Sequence, residues 1–238
     1  MARPPVKTAP PPKKGAPVGL IGAVTAAVVI VVAIIVYLAV RGSGGLEGAG
    51  SANALPEGGG VVVSEHADVP QVHLYEDFQC PWCGVLERAS GADLDAAAEE
   101  GRIALTVTTM SFLDDKLGND SSSRAANAAL CADDQGAFTA YRAEVFANQP
   151  EQEGTGWTDE QLLGFAEAAG VSDPDAFRSC VESGRYSDYV DAMQERANRD
   201  GISGTPRLLI DGEPVSDQEM QALMYEPGSL DRILQERE

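Results

Sequence analysis

The 238-residue chain is poor in positive charge: 17 Lys and Arg stand against 37 Asp and Glu, a formal balance of -20. Phosphates would be repelled by such a surface, so nucleic acid is excluded as a partner. Histidine is scarce as well. His66 and His73 are the two in the chain and neither stands beside a cysteine, which leaves no zinc-ligand spacing around the separated Cys131 and Cys180. Charge is missing altogether from residues 16–40, and the segment 18–40 is rich in Val, Ile, Leu and Ala. At 1.5 Å per residue that length crosses a hydrocarbon core of about 30 Å. Acids are absent from residues 1–41, which hold five basic residues: Arg3, Lys7, Lys13, Lys14 and Arg41. No cysteine follows the apolar run closely, so a lipid anchor has no attachment residue.

These absences organise the chain. Residues 16–41 are expected to form a transmembrane anchor. A cleavable signal peptide has an apolar region of about 7–15 residues with a small-x-small site close behind, whereas here the run is longer and the nearest triplet, Ala52-Asn53-Ala54, lies well past Arg41. Four basic residues before the span place the N-terminus in the cytoplasm and the bulk of the chain outside a cell membrane. Residues 1–15, with Pro4, Pro5, Pro10, Pro11 and Pro12, form a disordered cytoplasmic tail, and residues 42–59 a Gly/Ala/Ser-rich linker. The folded domain is expected over residues 60–238.

Within that domain the stretch around Cys80-Pro81-Trp82-Cys83 carries chemistry. The alternating run 72–78 predicts a strand, and the cysteines follow where a strand hands over to a helix over 81–100. Two thiols three positions apart at a helix start can close a disulfide. Unpaired N–H groups and the positive end of the helix dipole favour a thiolate at the first of them, and the thiolate is the nucleophile of disulfide exchange. Residues 61–63 predict an edge strand and 103–110 a strand parallel to the first. From about residue 120 to 201 only helical periodicity remains. Thr158 with Gln161 fits a capping box, and Asp173 before Pro174 fits a cap followed by proline at the first helical position. Residues 207–210 predict a strand, Asp211-Gly212 a hairpin turn, Pro214 an edge strand, and 216–224 and 229–235 closing helices. The acidic pairs Asp114-Asp115 and Asp133-Asp134 are expected on the solvated surface, and His73 is expected to be packed. Beyond the membrane disulfides persist, and Cys131 and Cys180 fall on apolar helical stretches, so a structural disulfide between them is expected over two free buried thiols.

Strand, CxxC helix, strand, helical insert, Gly204-Thr205-Pro206, hairpin and helix is the element order of the thioredoxin fold. The sequence resembles a DsbA-like thiol–disulfide oxidoreductase of the membrane-anchored, extracytoplasmic type, an α/β thioredoxin-like fold with an all-helical inserted subdomain. Phe78-x-Cys80-Pro81-x-Cys83 matches the family's active site and Thr205-Pro206 its cis-proline dipeptide. The resemblance implies that Cys80 is the exposed nucleophile and Cys83 the buried resolving thiol. It also implies that Pro206 is cis and faces them, and that the Thr205 backbone binds an extended substrate strand. The redox-active Cys80–Cys83 pair is itself the electron carrier, so no cofactor is implied. Substrates would be unfolded or reduced exported proteins, and reoxidation would fall to a quinone-linked membrane partner resembling DsbB or vitamin K epoxide reductase.

Two positions depart from the pattern. Trp82 stands where strong oxidants of the family have histidine, and Leu74 occupies the place of a buried acid found in many thioredoxin-fold enzymes. Glu76, on the Leu74 face of the strand, is the substitute proton shuttle, with Asp77 second. The direction of exchange is expected to be oxidation, with reductase or isomerase as alternatives. A non-catalytic, membrane-tethered thioredoxin-fold binding domain is the reading from another class.

Overall fold

The computed structural model describes residues 54–55 and 59–237. The tail expected at 1–15, the anchor expected at 16–41 and most of the linker expected at 42–59 lie outside them. Among the described residues no helix is long and apolar enough to cross a membrane.

Six strands form one mixed sheet: β1 (Ala54–Leu55), β2 (Gly60–Val62), β3 (Gln71–Glu76), β4 (Ala104–Thr109), β5 (Arg207–Ile210) and β6 (Glu213–Pro214). Their spatial order is β1-β2-β4-β3-β5-β6. β2 is therefore not the edge strand expected from 61–63. Ala54–Leu55, within the stretch taken as linker, pairs outside it, with Ala54 opposite Val61. β3 and β4 run parallel from Gln71↔Ala104 to Glu76↔Thr109. A parallel pair needs a long crossover, which the helical stretch after Cys80 supplies. That stretch is α1 (Pro81–Leu86), a π-helical turn (Glu87–Gly91) and α2 (Ala92–Glu99). Pro81 opens α1 because a first-turn N–H would have no partner in any case.

β5 runs antiparallel to β3 with Val72 opposite Ile210 and Tyr75 opposite Arg207. This register brings the residues just before Arg207 beside those just after Tyr75, so Thr205–Pro206 and the approach to Cys80 share one end of the sheet. Asp211 (φ 52°) and Gly212 (φ 81°) make the left-handed hairpin turn that leads to β6, where Pro214 sits on the outer edge.

Between β4 and β5 lie α3 (Phe112–Leu117), α4 (Ser121–Asp133), α5 (Phe138–Ala147), α6 (Asp159–Ala168), α7 (Pro174–Glu182) and α8 (Ser187–Arg199); α9 (Asp217–Tyr225) and α10 (Ser229–Gln235) close the chain. Thr158 and Gln161 form the capping box of α6, Ser216 and Glu219 that of α9, and Asp173 caps α7. Tyr141, Phe146, Phe177, Tyr186 and Tyr189 are fully buried between the insert helices. Cys131 of α4 and Cys180 of α7 form a disulfide with Cα atoms 5.9 Å apart.

Of the acids expected on the solvated surface, Asp133 is buried and Asp114 is half-buried. Asp133 is 1% exposed. Asp114 accepts from the Ser122 and Ser123 N–H groups at 2.8 and 2.9 Å, where the free donors of the α4 N-terminus favour a carboxylate. His73 packs on Tyr75, ring centroids 4.1 Å apart, and bonds Thr108; burial lowers its pKa to about 4, so the ring is neutral.

Candidate active site

Cys80 is the N-cap residue of α1, in extended conformation, and its carbonyl accepts from the Cys83 and Gly84 N–H groups. Its sulfur lies at the helix N-terminus, and the thiol donates to the Thr205 carbonyl at 3.4 Å. The Thr205–Pro206 peptide bond is cis. Cys80 is 6% exposed and Cys83 1%. The nucleophile expected to be exposed is thus itself buried, though less completely than Cys83, while Trp82 beside it is 56% exposed.

The two sulfurs, both thiols in this structure, differ in acidity. Hydrogen bonding from Cys83 is the largest influence on Cys80 and outweighs burial, which acts the other way. With help from Thr205 and the N–H groups of Cys83 and Trp82, the Cys80 pKa falls to about 6. The Thr205 hydroxyl is buried without a hydrogen-bond partner while Cys80 is a thiol, and it serves the sulfur once that is charged. Burial pushes the Cys83 thiol well above its ordinary range, and its bond to Cys80 and the charge of Glu76 push it further.

The loop between β3 and α1 is held from the insert. Asp77, the second shuttle candidate, has both carboxylate oxygens engaged: Oδ1 accepts from the Gln79 N–H and the Ser122 hydroxyl, and Oδ2 from the Leu113 N–H. Burial raises its pKa to about 7 despite those bonds. Asp77 also donates its N–H to Cys83 Sγ at 3.5 Å. Phe78 is fully buried, its ring 5.0 Å from that of Phe146. Gln149, beyond the end of α5, donates its amide to the carbonyls of Phe78 at 2.8 Å and Cys80 at 2.9 Å. Gly84 makes room for this clamp, because a Cβ there would stand 2.2 Å from Gln149 Oε1.

Glu76 points inward on the Leu74 face, as the period-2 argument expects. Arg142 of α5 binds it through two parallel hydrogen bonds of 2.7 and 2.8 Å. Burial nevertheless raises its pKa, against the pull of Arg142. Glu87 also reaches the guanidinium, at 2.6 Å. Arg142, Glu87 and Gln149 escaped the sequence reading because each acts over dozens of residues. The available signal was an arginine on the apolar face marked by Phe138, Tyr141 and Val145. Among the described residues no group of three or more His, Cys, Asp or Glu is arranged to hold a metal.

A thiolate-prone cysteine at a helix start, a buried partner thiol one turn on, a facing cis-proline and a helical insert together define the class of DsbA-like thiol–disulfide oxidoreductases. The chain belongs to the thioredoxin family, whose model, described as "Thioredoxin", matches residues 58–225. It is similar to the reduced disulfide bond oxidoreductase DsbG of Mycobacterium tuberculosis, at 25% identity and TM-score 0.59 over 75% of this chain and 93% of that one. It is also similar to MdbA, a thiol-disulfide oxidoreductase of Corynebacterium diphtheriae, at 26% identity and TM-score 0.61 over 74% and 90%. Among curated proteins it is 27% identical over 169 residues to the serine/threonine-protein kinase PknE of Mycobacterium tuberculosis, a match covering 66% of this chain and 29% of that protein. The chain therefore matches less than a third of the length of those curated relatives.

Proposed function

We propose that the protein is an extracytoplasmic thiol–disulfide oxidoreductase that introduces disulfides into reduced exported proteins. The observation that carries this reading is the asymmetry of the pair, in which Cys80 has a pKa lowered to about 6 and Cys83 one raised by burial. A stabilised Cys80 thiolate favours the reduced enzyme and so makes its disulfide a better oxidant. A substrate thiolate attacks Cys80 Sγ, the Cys80–Cys83 bond breaks, and Cys83 leaves with the electron pair and takes a proton. A second substrate thiolate then attacks the substrate sulfur of the mixed disulfide and expels Cys80 as a thiolate. Two electrons have passed to the enzyme and one disulfide to the substrate. The Thr205 backbone beside the cis bond offers the substrate strand its pairing partner.

Residues 16–41 would anchor the domain in the cell membrane with residues 60–238 outside, beside a membrane partner resembling DsbB or vitamin K epoxide reductase. Glu76 is the group to exchange a proton with Cys83. The test is the state of Cys80 and Cys83 in cells, read by thiol trapping, together with refolding of a reduced substrate by the oxidised protein. A largely oxidised pair and accelerated refolding support the reading. A largely reduced pair reverses the direction to reductase or isomerase, and no exchange at all leaves only a binding domain.

A further inference from the structure

Gln79 fills the open position of the Phe78-x-Cys80 pattern, one residue before the nucleophile, and it is 4% exposed. Burying an amide is costly unless both of its ends are bonded, and here both are. Nε2 donates to Asp114 Oδ1 at 3.0 Å, Asn119 Oδ1 at 2.9 Å and Ser122 Oγ at 2.9 Å, while Oε1 accepts from Asn119 Nδ2 at 3.1 Å. The amides of Gln79 and Asn119 thus pair reciprocally, and the Asp114 carboxylate dictates which end of Gln79 faces it. All three partners belong to the helical insert: Asp114 to α3, Ser122 to α4 and Asn119 to the turn between them. An apolar side chain of the same length would fill the space with no partner at all. The four bonds therefore point to a requirement on where this residue is held, not on volume.

Cys80 is held from two sides. Its carbonyl is tied to α1 through the Cys83 and Gly84 N–H groups, whereas its own N–H bonds the Asp77 carbonyl at 2.9 Å, inside the loop that Gln79 fastens. The backbone donors that stabilise its sulfur, the N–H groups of Trp82 and Cys83, move with α1. α1 rests on other elements: Ser90, in the turn that continues it, donates to the Leu223 carbonyl of α9. The direction of the Cys80 Cα–Cβ bond depends on the loop as much as on the helix, because the chain enters the residue from Gln79. We propose that Gln79 is a positioning residue for the exchange reaction: fastened to Asp114, Asn119 and Ser122, it passes the grip of the helical insert to Cys80 and keeps the sulfur over the N-terminus of α1. The inference rests on the oxidoreductase reading above. The charged groups that Gln79 touches are Asp114 and, through its backbone N–H, Asp77 Oδ1.

With that grip released, the loop 77–80 gains freedom and the sulfur spends less time beside the Trp82 and Cys83 N–H groups. A thiolate that loses donors is a stronger base, so its pKa rises and the reduced enzyme loses stability relative to the disulfide.

The test uses the full-length protein in detergent and two readings. One is the pH profile of Cys80 alkylation in the reduced protein. The other is the equilibrium with glutathione, in which the enzyme disulfide takes two electrons from two glutathione thiols and leaves one glutathione disulfide. Gln79→Met keeps the length and the backbone N–H but makes none of the side-chain bonds. Its alkylation midpoint should rise by about one pH unit, and the equilibrium at pH 7 should shift about fivefold toward the oxidised enzyme. Asn119→Ala removes a partner on the insert side and should move both readings in the same direction by less. Both substitutions are neutral in charge and leave the three donors to Asp77 in place, so neither reading moves through a new charge. A residue that merely glued the loop down would lower the denaturation midpoint and leave both readings where they were. That result overturns the inference, as does a downward shift of the midpoint. Where Gln79→Met fails to fold, Asn119→Ala decides by the same criteria. A wild-type protein that never exchanges with glutathione overturns the oxidoreductase reading, and the inference with it.

Discussion

Cys80 and Cys83 stand one helical turn apart, yet burial and hydrogen bonding move their pKa values in opposite directions. The alkylation rate of Cys80 should rise with a midpoint near pH 6, and in Cys83→Ala, which removes the largest favourable bond, the midpoint should climb toward the ordinary 9.0. A wild-type midpoint above 8 would remove the basis for an oxidising pair. The same shift has a sign in stability. A pKa depressed on folding stabilises the reduced fold fully above the unfolded value and loses that stabilisation as pH falls through the folded one. The oxidised protein lacks both thiols but shares every other group, and the Cys83 thiol, raised by burial, stays protonated in the fold over this range. The melting temperature of the reduced form should therefore gain on that of the oxidised form between pH 6 and pH 9, measured as the difference between the two at each pH. Gln149 acts at the same scale without titrating. Gln149→Ala strips the Phe78 and Cys80 carbonyls of a donor, which should cost about 1–3 kcal/mol in chemical denaturation and slow exchange at Cys80. Loss of neither would show that water replaces the amide.

Elements were legible wherever a local signal existed. Thr158 with Gln161, Asp173 with Pro174 and Asp211-Gly212 mark their helix starts and turn by short-range hydrogen bonding and backbone preference, and each stands where that chemistry places it. What escaped notice was set by partners far along the chain. Gly84 and Gly91 carry no local signal, yet one clears space for Gln149 and the other for Glu87. The π turn itself has no residue signature. Asp114 and Asp133 looked solvated because nothing in their neighbours announces the Ser122 and Ser123 amides or the interior of α4. Cys131 and Cys180 belong at this scale too, since their bond ties α4 to α7 across 49 residues. By loop-closure entropy it is worth about 4 kcal/mol, so Cys131→Ala/Cys180→Ala should lower the denaturation midpoint accordingly. A change under about 1 kcal/mol would mean that the aromatic core alone holds the insert.

Over the whole molecule, charge is divided as sharply as hydrophobicity. Five of the 17 basic residues fall in residues 1–41, leaving 12 against all 37 acidic ones beyond. If residues 16–41 anchor the chain as proposed, the basic leading side favours one orientation, because basic flanks stay on the cytoplasmic side. In the orientation proposed above, the sulfurs of the active-site pair would lie where exported chains emerge. A membrane-impermeant maleimide added to intact cells, after mild reduction, should therefore modify Cys80, and a Cys80→Ser variant should lose the label. Modification only after lysis would reverse the orientation. It would put the pair in a reducing compartment, where the same lowered pKa at Cys80 would serve reduction of substrate disulfides instead, because direction follows the potential of the surroundings as much as that of the enzyme.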